Sequence, residues 1–202
     1  MRALQTGDEA AIAALAPAAL GATADEMDAT RFAADACTAR GSIPIPHGTG
    51  RMLVAGLFGS PEPAGLLYMT SPVRLIEESQ TLGPRTQALL AREVREIELV
   101  ATAPHARRTG IGSALLHTAQ SLTAEEGVQI MCAKAAARDF PVLRWWRHRG
   151  YTLAQPGQNI RLHLQQAITC NDGHNNYRLA VRPLTGTVTE DRMLHVRPGR
   201  QA

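Results

Sequence analysis

The chain has 202 residues, 45% of them hydrophobic, with a formal net charge of +3 and a pI near 9.1. That is enough chain for one globular domain with a real core, and its mild positive charge suits a polyanionic ligand but does not indicate nucleic acid unless clustered. Cys37, Cys132 and Cys170 are odd in number and widely spaced, which argues against a disulfide framework or a zinc site, and no apolar run is long enough to span a membrane.

The first residues carry one arginine, then Asp8 and Glu9, and their Ala/Leu run is broken by Pro17. This is not the pattern of a secretory signal, so a cytoplasmic protein is expected. Residues 2 to 5 suit a short first strand. Thr6-Gly-Asp-Glu9 reads as a capping box opening a helix with Ile12, Leu15 and Ala19 inward, and Thr23-Ala-Asp-Glu26 repeats the device ahead of a second helix toward Gly41. Gly41 to Gly50, with Pro44 and Pro46, reads as a loop. Arg51 to Phe58 and Gly65 to Ser71 are apolar runs joined as a hairpin. Pro72 to Arg92 is a long connection in which Ala88-Leu89-Leu90, after Pro84, predicts a short helix. Insertions of this kind carry specificity, and Glu77 and Glu78 are candidates there to attract an amine, set against a solvated surface pair.

The centre of the chain is Glu96 to Leu116. Ile97-Glu98-Leu99-Val100-Ala101 reads as a strand closed by Pro104, and after Arg107-Arg108-Thr109-Gly110-Ile111-Gly112 a helical pattern takes over, with Ile111, Leu115 and Leu122 on one face. A basic, glycine-containing turn between strand and helix aims backbone amides at one spot, where the helix dipole adds positive charge. The glycines let the backbone come close to a bulky anion. A pyrophosphate is the simplest ligand for that geometry.

Gly127 stops this helix, Val128 to Ala133 reads as a strand, and a helix follows from about Arg138 to Arg149. Tyr151 to Ala154 and Ile160 to Gln166 are expected to pair as a hairpin around Gln155-Pro-Gly-Gln-Asn159. Beyond residue 167, Asn171 to Asn176 is a loop, Tyr177 to Leu184 suits an extra strand, and the last dozen residues are expected to be mobile. His163, Cys170 and His174 lack metal-ligand spacing, and no metal is read.

The run Arg107-x-x-Gly110-x-Gly112, three residues after a proline that closes a strand, resembles the acyl-CoA pyrophosphate loop of the GNAT N-acetyltransferase superfamily. About forty residues on, Asp139-Phe-Pro-Val142-Leu-Arg-Trp145-Trp146-Arg-His-Arg-Gly150-Tyr151 resembles that family's second signature, with Asp139 in place of the usual Asn and Trp146 in place of the usual Tyr. The resemblance covers residues 1 to 167, most strongly 94 to 153, and leaves 168 to 202 as a C-terminal extension. It implies an α/β fold: a mixed, mostly antiparallel sheet with helices on both faces, splayed between the 94–102 and 128–134 strands.

The activity it implies is transfer of an acetyl group from acetyl-CoA to a primary amine by direct attack in a ternary complex. Such a reaction must hold the donor, neutralise the amine and stabilise an oxyanion. Arg107 and Arg108 supply charge to the pyrophosphate, and amides from Arg108 through Thr109, Gly110, Ile111 and Gly112 to Ser113 supply hydrogen bonds. The family likeness adds main-chain groups of Val100, Ala101 and Thr102 for the thioester and pantetheine arm, and Asp139 among the donor-binding residues. Glu96 and Glu98, two apart on one side of the strand, are the candidate bases; the family uses a position matching Glu96. Trp146 stands where many members place an acidic tyrosine, but an indole donates hydrogen bonds and is no acid near neutrality, so it reads as core. Arg144, Arg147 and His148 read as a solvated face, His117 as surface, Cys132 as a buried thiol.

The expected partners are acetyl-CoA and an amine acceptor that the sequence does not specify, without membrane or nucleic acid and with a homodimer left open. Two alternatives stay open: a non-catalytic acyl-CoA binder, and a nucleic-acid or partner-binding protein using tail arginines (Arg178, Arg182, Arg192, Arg197, Arg200).

Overall fold

A computed structural model describes residues 4–5, 7–16, 26–78, 83–171 and 176–199. The elements in chain order are α1 (Glu9–Leu15), α2 (Glu26–Thr38), β1 (Ser42–Ile45), β2 (Gly48–Gly56), β3 (Pro63–Thr70), α3 (Val73–Glu78), α4 (Pro84–Glu93) and β4 (Val94–Thr102). A 3-10 turn (Pro104–Ala106) leads to α5 (Ile111–Glu125), followed by β5 (Ile130–Ala136), α6 (Phe140–His148), β6 (Thr152–Leu153), β7 (Ile160–His163), β8 (Ala167–Cys170), β9 (Tyr177–Pro183), β10 (Gly186–Glu190) and β11 (Leu194–Pro198). The chain forms two compact units, residues 1–70 with 97–122, and 71–96 with 123–202. Seven strands, β1 to β4 followed by β5-β9-β6, make a mostly antiparallel sheet flanked by helices, an α/β fold. No helix among the described residues is long and apolar enough to cross a membrane.

In the first unit β3 is buried along its whole length, so both of its faces need cover. One face takes α5: a Cβ at Gly65 would overlap the Ile111 side chain and press on Leu115, so the bare backbone is what lets the helix sit down. On the other face Tyr68 meets Phe32 of α2 edge-on, with ring centroids 5.0 Å apart. Helix α1 starts at Glu9, whose carboxylate turns back to accept from the Gly7 amide (2.8 Å). The reach-back of a capping box is thus used later than at Thr6, which lies outside the described residues together with Ala19 and the second predicted box at 23–25. Leu4 and Gln5 are not in a strand, and residues 2 and 3 lie outside the described residues. The expected loop at 41–50 is a hairpin, β1 against β2, turned by Pro46 and His47 (φ 62°). Pro44 is tolerated because β1 is an edge strand, where a missing amide costs no ladder bond.

In the second unit β5 is also covered on both faces. Met131 packs toward Tyr151, while Ile130 and Cys132 join a core with Ile76 of α3, Leu89 and Leu90 of α4, and strands of a second sheet. That sheet runs β10-β11-β7-β8, with β11 parallel to β7. The predicted hairpin of 151–154 with 160–166 is therefore not formed. β6 pairs with β9 and β7 with β8, so the segment around Pro156 carries the chain from one sheet to the other. The expected extra strand is β9, between β5 and β6, and the tail expected to be mobile contains β11, with Leu194 and Val196 fully buried.

On the second sheet four side chains form a line. An Arg197 guanidinium nitrogen lies 3.3 Å from His163 Nδ1, His163 Nε2 lies 3.1 Å from His195 Nδ1, and His195 Nε2 lies 3.1 Å from Asp191. Arginine only donates and the carboxylate only accepts, so every bond is satisfied with both imidazoles neutral and protonated on Nε2. A second proton on His163 would face the guanidinium. Burial, then Arg197, His195 and Arg161, accordingly lower the His163 pKa from 6.5. A depressed histidine takes up fewer protons folded than unfolded, so its stabilising contribution is present above pH 6.5 and is lost as pH falls below it. Thermal melts from pH 7.5 to 5 should show a falling Tm, with a shallower slope in His163→Gln; equal slopes would remove His163 as the cause.

Candidate active site

The turn after β4 lies in the first unit. The Arg107 amide bonds to the Pro104 carbonyl (3.3 Å) and the Thr109 hydroxyl donates to the Ala106 carbonyl (2.7 Å), which fixes the turn from within. Arg108 (φ 65°) and Gly110 (φ 93°) adopt left-handed backbone. The α-helical ladder of α5 begins with the bond from the Ala114 amide to the Gly110 carbonyl (2.9 Å), so the turn leads straight into the first turn of the helix. Arg107, Arg108, Thr109 and Gly110 are all exposed, and no protein atom lies within 4 Å of where a Gly110 Cβ would stand. A basic turn, an open approach and the positive end of a fifteen-residue helix thus come together in one place, the arrangement that binds a phosphate anion. Ile111 and Leu115 anchor the helix on Gly65, while Gly112 and Ser113 are half-buried in its first turn. Ala101 of β4 is buried, with Val100 and Thr102 half-buried on either side of it.

The two candidate carboxylates have different surroundings. Burial alternates along β4 but slips phase at Glu96 and Ile97, which are both buried, and Glu98 is exposed. Two apart on one strand, the pair differs in burial and in neighbours. In the first unit, Glu98 accepts from the Thr70 hydroxyl (3.3 Å), and its charge adds to burial in raising the Tyr68 pKa above 10.0. In the second unit, Glu96 is 4% exposed and lines an open cavity of about 360 Å³, measured with its mouth. Lys134 of β5 stands 3.8 Å from its carboxylate, and Arg74 lies in the same wall. Sequence reasoning passed over both cations. Lys134 is the only lysine in the chain and alternates with Ile130 and Cys132, a phase that turns it toward the same side as those core residues.

In the second motif, the Asp139 carboxylate accepts from the Val142 amide (3.1 Å) and caps α6. Trp146 is 2% exposed, edge-on to Tyr151 at 4.7 Å and to Trp145, so it is a packing residue. Arg144, Arg147, His148 and His117 are exposed, and the buried Cys132 thiol donates to the Arg95 carbonyl (3.6 Å). Glu77 is exposed. Of the tail arginines, Arg178 donates to the Ala154 carbonyl (2.7 Å) and Arg182 to the Arg149 carbonyl (2.7 Å), contacts that belong to the fold. Arg200 lies outside the described residues.

The sequence model of the acetyltransferase (GNAT) family matches residues 62–151, which include β3, β4, the turn, α5, β5 and α6. No curated protein matches the sequence. Among solved structures, the fold is similar to NAA60 of Arabidopsis thaliana in complex with a bisubstrate analogue, at TM-score 0.58, 12% identity and coverage of 90% of this chain and 95% of that one. It is similar to YncA of Salmonella typhimurium, solved with its cofactor acetyl-CoA, at TM-score 0.56, 16% identity and coverage of 94% and 96%. It is also similar to the ribosomal-protein-S18-alanine N-acetyltransferase of Escherichia coli, at TM-score 0.55, 14% identity and coverage of 92% and 94%. With the family's model matched across β4, the turn and α5, residues 62–151 of the chain carry an acetyltransferase (GNAT) domain.

Proposed function

We propose that the protein moves the acetyl group of acetyl-CoA to a primary amine by direct attack in a ternary complex. The observation that carries this reading is the exposed turn with left-handed Arg108 and Gly110 at the start of α5, inside the region that matches the family. Arg107 and Arg108 hold the pyrophosphate with the amides of residues 108 to 113. Main-chain groups of Val100 to Thr102 hold the thioester and pantetheine arm. Asp139 acts on donor binding through the start of α6 that it caps.

Glu96 is the base, because it is the β4 carboxylate that lines a cavity. The acceptor ammonium gives one proton to Glu96, which passes it to solvent, and the free amine attacks the thioester carbonyl. The C–N bond forms as the C–S bond breaks, and the amine's second proton leaves with the thiolate as CoA thiol. A CoA thiol resembles cysteine, with a pKa of about 8.5, so its thiolate departs near neutrality without an enzyme acid. A tryptophan buried in the core at the family's tyrosine position is compatible with that chemistry.

Acetyl-CoA turnover against a panel of amines tests the activity, and Glu96→Gln tests the base. The variant should lose about a hundredfold in rate at pH 7 and the acid limb of the pH–rate profile, with acetyl-CoA affinity nearly unchanged. Glu98→Gln should change the profile little. If neither single nor double variant alters it, the amine loses its proton to something other than this strand.

A further inference from the structure

Burial alternates along the strands of the second sheet. Leu162 of β7 and Val196 of β11 point into the core, so Arg161, His163, His195 and Arg197 stand on the outward face. The register sets Arg161 beside His195, and the 3.3 Å contact sets His163 beside Arg197, so arginine and histidine alternate across the two strands. Thr169 of β8 pairs with Arg161 and Thr187 of β10 with Arg197, which places a hydroxyl beyond each guanidinium. Both arginines are exposed, and among the described residues neither has a carboxylate partner. Asp191, the acid that touches this line, is taken up by His195 (3.1 Å) and by the Met193 amide (2.9 Å). Glu190 shares its register position with buried Leu194 and accepts from Gln158 (3.0 Å), so it belongs to the other face.

The positive charge that is mild over the whole chain is therefore clustered here. By strand geometry the two arginine Cα atoms lie about 8 Å apart, a spacing at which like charges repel and a polyanion laid across both relieves the repulsion. His163 accepts one Arg197 N–H and leaves the other guanidinium donors for a ligand. An open sheet face does not suit a small molecule, whose sites are concave. The four strands hold no Phe, Tyr or Trp on which unpaired bases could stack. The phosphate backbone of a duplex presents anionic oxygens in succession and needs neither a pocket nor a base contact. We infer that the outward face of the second sheet docks the backbone of a nucleic-acid duplex through Arg161 and Arg197, without regard to base sequence. The face lies outside residues 62–151 that match the acetyltransferase model, and it stands apart from the acetyl-transfer reading.

The test is fluorescence anisotropy of the full chain with labelled duplexes of about 20 base pairs and unrelated sequence, DNA and RNA, at about 50 to 200 mM salt. Binding should have a Kd of about 10–100 µM at the lowest salt, alike across sequences, and log K should fall with log salt at a slope of about −2, nearly one per arginine. Arg161→Gln and Arg197→Gln should each weaken binding about fivefold and reduce the slope by about one, and the double variant should abolish binding. Arg31→Gln makes the same charge change at an exposed position of α2 and should alter Kd by less than about twofold. Replacing both arginines by lysine should keep most of the affinity, because a point charge serves a phosphate, and thermal melts of all variants should stay cooperative. Unchanged binding in the glutamine pair, or an equal loss in Arg31→Gln, overturns the assignment of this face. Loss in the lysine pair with an intact melt overturns the role given to charge. No duplex binding at the lowest salt, or tighter binding of poly-glutamate than of duplex, overturns nucleic acid as the partner.

Discussion

Acetyl-CoA binding should vanish in calorimetry for both Arg107→Glu and Gly110→Val, with affinity reduced at least about a hundredfold and Tm kept within about 5 °C in the first and about 12 °C in the second. Arg107 is exposed and its removal opens no cavity, so the folded state has little to lose there. Charge reversal replaces an attraction for the pyrophosphate, worth roughly 1.5–3 kcal/mol per charge-assisted hydrogen bond, with a repulsion. At Gly110 the backbone has φ 93°, which a β-branched residue adopts only at a cost of about 1–3 kcal/mol. The added side chain meets no protein atom within 4 Å of its Cβ, so what it obstructs is the open approach to the turn. Gly110→Ala should fall between the two. Unchanged affinity in both main variants would remove the turn as the pyrophosphate site.

Ending the chain at residue 167 should abolish folding, although that is where the family likeness in the sequence stops. The deletion takes β8 to β11, and with them the seven residues of β9 that pair with β5 from Ile130 to Ala136 and also hold β6. It also removes Ile168, Val181, Leu194 and Val196 from the core of the second unit. Each contributes about 1.5–3 kcal/mol of apolar burial, against a total stability of roughly 5–15 kcal/mol for a typical domain. The fragment should be insoluble or lack a cooperative melt, whereas ending at Gly199 should leave the melt intact. A cooperative melt of the 1–167 fragment near the full-length Tm would show that the extension is dispensable.

The parts legible in the sequence were those in which local chemistry and tertiary structure agree. Strand β4, the turn, α5 and the stop at Gly127 (φ 75°) rest on periodicity and on glycines that the backbone requires. Trp146 was legible as core because indole chemistry offered no acid and the helix pattern placed it beside Leu143, which is likewise buried. Pairing partners were not legible. Nothing in residues 151 to 166 says that β6 will take β9 and β7 will take β8, since strand pairing is decided by segments far apart in the chain. The successive burial of Glu96 and Ile97 was hidden for a similar reason: it depends on what covers each face of the strand, and that comes from segments distant in sequence. Lys134 carried a readable signal in its alternation with Cys132, but the carboxylate it faces lies on another strand.

The missing side chain at Gly65 bears on how such an enzyme can be retuned. Ile111, the first residue of α5, rests on that glycine, so the height of the helix over β3 is set by the room of a single methyl group. A methyl there acts as a shim under the helix end and lifts the amides of its first turn without touching a ligand-facing atom. On the proposed role of the turn, donor geometry has an adjusting screw on a neighbouring strand, hidden beneath it. A change in donor affinity can then arise from a substitution that a survey confined to the loop would overlook.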